Sequence, residues 1–236
     1  MPATKHDHED ATDPHWVSST DLMSGLMLVF MLIAVAFMLQ ASRERDRTRA
    51  SAEEWAASKE AIYEALVAEF EDDLPGWQAE IEGDSLIVRF RGPTSLFEAG
   101  STNLSPRFQE ILQEFFPRYV AVLHRFEADL SEIRIEGHTS SEWIGARSEH
   151  EAWVQNMVLS QGRTLEVLVY SLDQITATPL YGWGRVMLLA GGRSSSQLVV
   201  RDGVELPEES RRVEFRARTN AEEKLSEILE GAGAAQ

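Results

Sequence analysis

The chain has 236 residues, enough for one anchor and one domain of ordinary size, with a net charge of −17 and no cysteine. The missing cysteine excludes disulfides and thiolate metal sites, and acidity without a basic face argues against direct nucleic-acid binding. Residues 1–17 are polar, with Pro2, Pro14 and three histidines (His6, His8, His15), and read as a short mobile tail rather than a metal site. Trp16 stands where an interfacial aromatic belongs.

Residues 18–39, SSTDLMSGLMLVFMLIAVAFML, read as one transmembrane helix. The uncharged run after Asp21 covers roughly 27 Å at ~1.5 Å per residue, close to bilayer thickness. A secretory signal is disfavoured, because only Lys5 is basic before it and no small-residue cleavage site follows. A carboxylate in such a segment costs a few kcal/mol, which marks Asp21 as a functional candidate. Asp21 also fits a first-turn residue in the headgroup layer, although Ser18, Ser19 and Thr20 are better caps. Position alone leaves both readings open. Ser24, Gly25, Leu28 and Leu32 share its helix face, and the small residues let another helix approach closely.

Asp21-Leu22-Met23-Ser24, followed by Met27 and Phe30, resembles the transmembrane segment of MotB-type stator subunits. The resemblance implies that Asp21 is the ion-carrying group of a motor and that Ser24 and Gly25 support the channel. It implies H⁺ rather than Na⁺, since a lone carboxylate in an apolar helix offers few sodium ligands, and it implies no cofactor.

Residues 40–80 read as a charged linker helix whose stripe is Trp55, Ile62, Leu66 and Phe70, ended by Pro75-Gly76. The stripe fits packing on its own domain, pairing with a second copy, or a channel plug. Lys5 precedes the span, and Arg43, Arg45, Arg47 and Arg49 follow it. That bias favours an internal C-terminal part, whereas the stator resemblance implies a cytoplasmic N-terminus and a periplasmic domain. We follow the resemblance.

Beyond the linker the pattern is strand (residues 85–90), helix, strand (132–135), helix (159–172), strand (186–190) and strand (211–218). Ser105 caps the first of these helices with Pro106 behind it, and Pro117 either kinks that helix or ends it early. The order predicts an α/β sandwich over residues 85–218, a mixed sheet of about four strands packed by helices, with a C-terminal tail at 219–236. No Ser/His/Asp or paired-carboxylate arrangement points to hydrolysis, so no enzyme activity is expected.

Leu96-Phe97…Gly100…Leu104-Ser105-Pro106, then Glu136-Gly137-His138-Thr139, Asn156-x-x-Leu159-Ser160-x-x-Arg163 and Arg211-Arg212-Val213-Glu214 resemble the OmpA-like peptidoglycan-binding domain. That family grips the diaminopimelate of the peptide stem through the Arg after Leu-Ser and a carboxylate after Gly-His-Thr. The resemblance implies that Arg163, Asn156, His138, Thr139, Ser140 and Arg211 form the peptidoglycan-binding site. Taken singly, His138 suits a hydrogen-bonded strand-end histidine, and Asn156 suits a helix cap equally well. Two features depart from the pattern. Ser140 stands where the family has Asp, with Glu142 as one substitute, and the run from Ser140 to Asn156 is about eight residues longer than usual.

Gly137-His138-Thr139-Ser140-Ser141-Glu142-Trp143 together with Asn156-Met157-x-Leu159-Ser160-Gln161-x-Arg163 resembles the B subunits of Zorya anti-phage defence systems, which are MotB-like. This implies an inner-membrane homodimer inside a ring of a polytopic MotA-like partner, fixed to peptidoglycan and reaching cytoplasmic defence effectors through that partner. The alternatives are a flagellar MotB-type stator and a passive peptidoglycan tether without ion transport.

Overall fold

The computed structural model describes residues 15–92, 96–98 and 100–220. The expected tail at 1–17 lies outside these except for its last three residues, and the expected tail at 219–236 lies outside them except for Thr219 and Asn220. The chain divides into two compact units, residues 1–53 and 54–236.

The first unit contributes most of helix α1 (His15–Phe70). Within it, Met23–Arg43 is long and apolar enough to cross a membrane, and none of it is buried. Met27, Phe30, Phe37 and Met38 are each more than three-fifths exposed. Apolar side chains left bare in this way need lipid or a partner helix to cover them. Asp21 lies in the backbone of α1, two residues before this segment, and its side chain is outside the described residues.

The second unit is a two-layer α/β domain. Its sheet runs β1 (Ala79–Glu82), β2 (Ile87–Arg91), β7 (Arg212–Thr219), β3 (Leu130–His138), β4 (Leu188–Gly192), with β3 and β4 parallel and the other neighbours antiparallel. Against it lie α3 (Pro106–His124) and α4 (Glu149–Asp173); α2 (Leu74–Trp77), α5 (Tyr181–Met187) and α6 (Pro207–Ser210) are short. A two-stranded ribbon, β5 (Val200–Arg201) with β6 (Val204–Glu205), stands apart from the sheet.

The sheet is mixed and packed by helices as expected, with five strands where about four were expected. The additional strand, β1, straddles the end of the stretch expected as linker, residues 40–80. The domain also reaches back into α1, because Ile62, Leu66 and Phe70 are fully buried in its core. Phe70 meets Phe115 at 5.1 Å and Trp77 at 5.9 Å between ring centroids. Of the readings open for the linker stripe, packing on its own domain is the one these contacts satisfy.

Helix α3 begins as expected. Ser105 Oγ accepts from Phe108 N at 3.0 Å, and Pro106 occupies the first turn. It does not stop at Pro117 but runs on to His124. A proline in a helix interior costs roughly 3 kcal/mol. Continuing buries Tyr119, Val120, Val122 and Leu123, each worth about 1.5–3 kcal/mol, so burial wins. Helix α4 starts ten residues earlier than expected, capped by Ser148 Oγ accepting from Glu151 N at 3.2 Å. Asn156 therefore sits inside the helix and does not cap it.

The sheet face pointing away from Phe90, Ile135 and Phe215 is charged. Arg89, Glu214 and Glu136 form one row across three strands, with Arg91, Arg212 and His138 beside it. Period-2 alternation produces this face: Val213, Phe215 and Ala217 point into the core, and Arg212, Glu214 and Arg216 point away.

Candidate functional site

Two glycines set the distance between α4 and the sheet. A Cβ on Gly137 would lie 2.7 Å from Thr164 Cγ2 and 3.1 Å from Ser160 O. One on Gly192 would lie 2.8 Å from Gln161 Cα. These strand ends are paired with each other, and Gly192 N–H donates to Gln161 Oε1 at 2.7 Å. The Leu-Ser-x-x-Arg turn of α4 is thereby pressed against the ends of β3 and β4, and Arg163 is delivered to the same cleft as His138 and Arg211. Leu96, Phe97, Ser160, Arg212 and Val213 complete the lining.

Arg163 is half-buried. Its Nε donates to Ser101 O at 2.9 Å, and its guanidinium carbon lies 4.6 Å from the centre of the Phe97 ring. Burial, together with the charge of Arg211, pulls it from 12.5 down to about 10, so it remains a cation at neutral pH. No carboxylate lies within ion-pair distance of Arg163 among the described residues. A desolvated guanidinium without an anion is a ready receptor for a carboxylate.

The other predicted residues divide into those at the cleft and those behind it. Arg211 donates to Ser140 Oγ, Glu208 Oε1 and Glu142 Oε2, each at 3.1 Å. Ser140 and Thr139 are buried, and Thr139 N–H donates to Ser194 O at 3.0 Å. Asn156 Nδ2 donates to Glu142 O at 3.2 Å, which makes it a brace for the loop after β3. His138 is buried at the end of β3, 3.5 Å from Glu214 Oε2 and 3.9 Å from Glu136 Oε2. Among the described residues neither ring nitrogen makes a close hydrogen bond, and the nearest acceptor is Glu214.

Glu214 is the hub beneath the cleft. It takes Arg212 Nε at 2.7 Å and Arg89 Nε at 2.8 Å. Burial alone would raise its carboxyl; contacts with His138 and Arg212, and then with Arg89, outweigh burial and hold it well below the carboxylate range. Burial likewise pushes His138 down, against the pull of Glu214 and Glu136, which leaves the imidazole neutral at pH 7. Arg212 and Arg89 each bring a guanidinium nitrogen within 2.8 Å of Glu214. Glu136, His138 and Glu214 also bring one donor atom each within 4.8 Å of one another, a compact donor set for a metal. Arg89, Arg134, Arg193, Arg212 and Arg216 all lie within 4.0 Å of the two carboxylates, however, and already supply the positive charge there. The cluster reads as an ion network.

Phe97, which stacks on Arg163, was legible only as a member of the Leu-Phe…Gly run, and Ser101, which accepts from it, was not singled out by the sequence. Ser194, Glu208 and the buried role of Arg212 had no signal in the sequence.

No protein-family model matches the chain. Among solved structures, it is similar to a MotB-like protein from Desulfovibrio vulgaris, at 21% identity, 70% of this chain, 94% of that chain and a TM-score of 0.48. It is also similar to the periplasmic domain of Helicobacter pylori MotB, at 15% identity, 65% of this chain, 90% of that chain and a TM-score of 0.43. In sequence it is 42% identical to the Zorya protein ZorB of Escherichia coli strain Crooks over 223 residues, 94% of this chain and 95% of that protein. At that identity over nearly the whole of both proteins, the chain belongs to the ZorB family of Zorya proteins.

Proposed function

We propose that the chain is the stator subunit of a proton-driven motor acting in anti-phage defence, anchored in the inner membrane and held to peptidoglycan by its C-terminal domain. Two copies place their spans inside a ring of a polytopic MotA-like partner. Asp21 of each is protonated from one side of the membrane and released to the other, and the partner ring turns about the dimer. The N-terminus is cytoplasmic and the domain periplasmic. The partner, not this chain, passes the signal to cytoplasmic effectors. The role is mechanical, not enzymatic.

The observation that carries this reading is Arg163, a half-buried guanidinium without a carboxylate partner among the described residues, seated by Ser101 and Phe97. It is suited to the free carboxylate of a wall peptide stem. A bare apolar span with an acid at its edge, in the same chain, is suited to a motor that needs one end held still.

The test uses the full chain with its neighbouring defence genes, challenged by phage. Asp21→Asn should abolish protection while leaving the protein in the membrane and on isolated sacculi. Arg163→Ala should release it from sacculi. Full protection by Asp21→Asn would reduce the chain to a passive tether, and undiminished sacculus binding by Arg163→Ala would remove the wall-binding role from this cleft.

A further inference from the structure

A second cleft, of about 430 Å³, opens beside the first and is lined by Ser141, Glu149, His150, Trp153, Ser195 and Leu198. That volume lies within the range of small-ligand sites, ~300–1,000 Å³. Three elements wall it: the loop after β3, the first turns of α4, and the segment after β4. Two of these are the residues that make the run from Ser140 to Asn156 longer than the family pattern.

The walls are tied to each other. Ser194, fully buried, donates Oγ–H to Trp153 O at 2.7 Å and its N–H to Ser160 Oγ at 3.1 Å. Its φ of 51° is left-handed, which costs a non-glycine residue about 1–2 kcal/mol and is retained where surrounding contacts fix it. On the opposite wall, Ser141 donates its N–H to Glu205 Oε1 at 3.0 Å and its hydroxyl to Glu205 Oε2. The cleft walls are therefore held in place, and Trp153, which lines it, is 40% exposed.

The lining states what it takes. It holds a tryptophan, a leucine, one carboxylate, two serines, a histidine and no Lys or Arg, so an anion finds no counter-charge there. A neutral sugar ring fits: its apolar C–H face lies on the indole, and its hydroxyls donate to Glu149 and exchange hydrogen bonds with the serines. Ser140 bonds Arg211 of the first cleft and Ser141, the next residue, lines the second. A polymer carrying charged stems on a neutral glycan would meet both.

We propose that this cleft is a glycan subsite, with Trp153 as its stacking platform, so that the chain grips the wall by strand as well as by stem. The inference rests on the wall-binding reading above. The experiment is calorimetric titration of the full-length chain in detergent with two probes: chitopentaose, a neutral stand-in for the glycan, and a diaminopimelate-containing stem peptide. The unaltered chain should bind both. Trp153→Ala should weaken chitopentaose at least tenfold and leave the stem peptide unchanged, and Arg163→Ala should do the reverse. Stem binding without chitopentaose binding, or full chitopentaose affinity in Trp153→Ala, overturns the glycan subsite alone. Failure of both probes overturns the wall-binding reading and this inference with it. Should Trp153→Ala lose both probes, Glu149→Gln decides instead, since the helix cap at Ser148 stays in place. A several-fold loss for chitopentaose alone supports the subsite, and no change overturns it.

Discussion

Arg211 donates its Nε–H to Ser140 Oγ, so a neutral hydroxyl and a guanidinium meet where the OmpA-like pattern has an acid. The same guanidinium holds Glu142, whose side chain remains 65% exposed. On the wall-binding reading, Glu142 and Glu208, held by the same guanidinium and 65% and 71% exposed, are the carboxylates offered to the amino group of a stem, and Ser140 fixes the arginine behind them. Glu142→Gln should weaken stem-peptide binding about tenfold, the worth of one charge-assisted hydrogen bond of roughly 1.5 kcal/mol. Ser140→Ala should cost less. If Ser140→Ala costs tenfold and Glu142→Gln nothing, the acceptor is the hydroxyl.

Arg163 makes one hydrogen bond with its Nε and stacks on Phe97, which leaves the terminal nitrogens for ligand. Arg163→Lys keeps the charge and loses the planar fork. Sacculus retention should fall about tenfold or more in Arg163→Lys, nearly as far as in Arg163→Ala. Equal retention by Lys and Arg would mean that charge alone suffices.

The apolar helix, the sheet-and-helix order and the placement of Arg163 in the cleft were legible because each rests on a local pattern: an uncharged run, period-2 and period-3.6 alternation, a motif turn. What escaped depends on pairs distant in sequence. β1 is short, packs Ala79 and Ile81 against the core, and carries Glu80 and Glu82, which pair with Arg89 of the next strand. In the sequence Glu214 is marked only as a member of the Arg-Arg-Val-Glu motif, yet it is almost fully buried, with Arg89, 125 positions away, bound to it. Ser194 resembled any loop serine until the fold placed it under Trp153.

Two buried groups set the acid limit of the domain, and both act in the same direction. His138 is lowered in the fold, so stability is full above its unfolded value near 6.5 and falls as pH drops below it. Glu214 is also lowered, so its contribution is full above about 4.5 and is lost as pH falls further. Thermal unfolding of the full chain in detergent should show two successive declines between pH 8 and 3. Glu214→Gln leaves Arg89 and Arg212 facing a neutral amide, at a cost of about 3–5 kcal/mol near pH 7. That deficit should shrink below pH 4.5. A pH-independent deficit would show that packing, not charge, is lost.

Gly191 and Gly192 are neighbours in β4 with opposite tolerances. A Cβ on Gly191 meets nothing within 4 Å, whereas one on Gly192 runs into the Ser160–Gln161 turn of α4, including backbone that cannot rotate away. Gly191→Ala should be near neutral, within about 0.5 kcal/mol. Gly192→Ala must push α4 off the sheet, and such overpacking costs about 1–3 kcal/mol. Because Arg163 lies two residues beyond Gln161, the shift should also carry its guanidinium out of register with Arg211. Gly192→Ala should therefore lower both the unfolding temperature and sacculus retention, even at temperatures where the domain is fully folded. Retention that follows only the folded fraction would mean that the spacing of α4 from β4 serves stability and not the cleft.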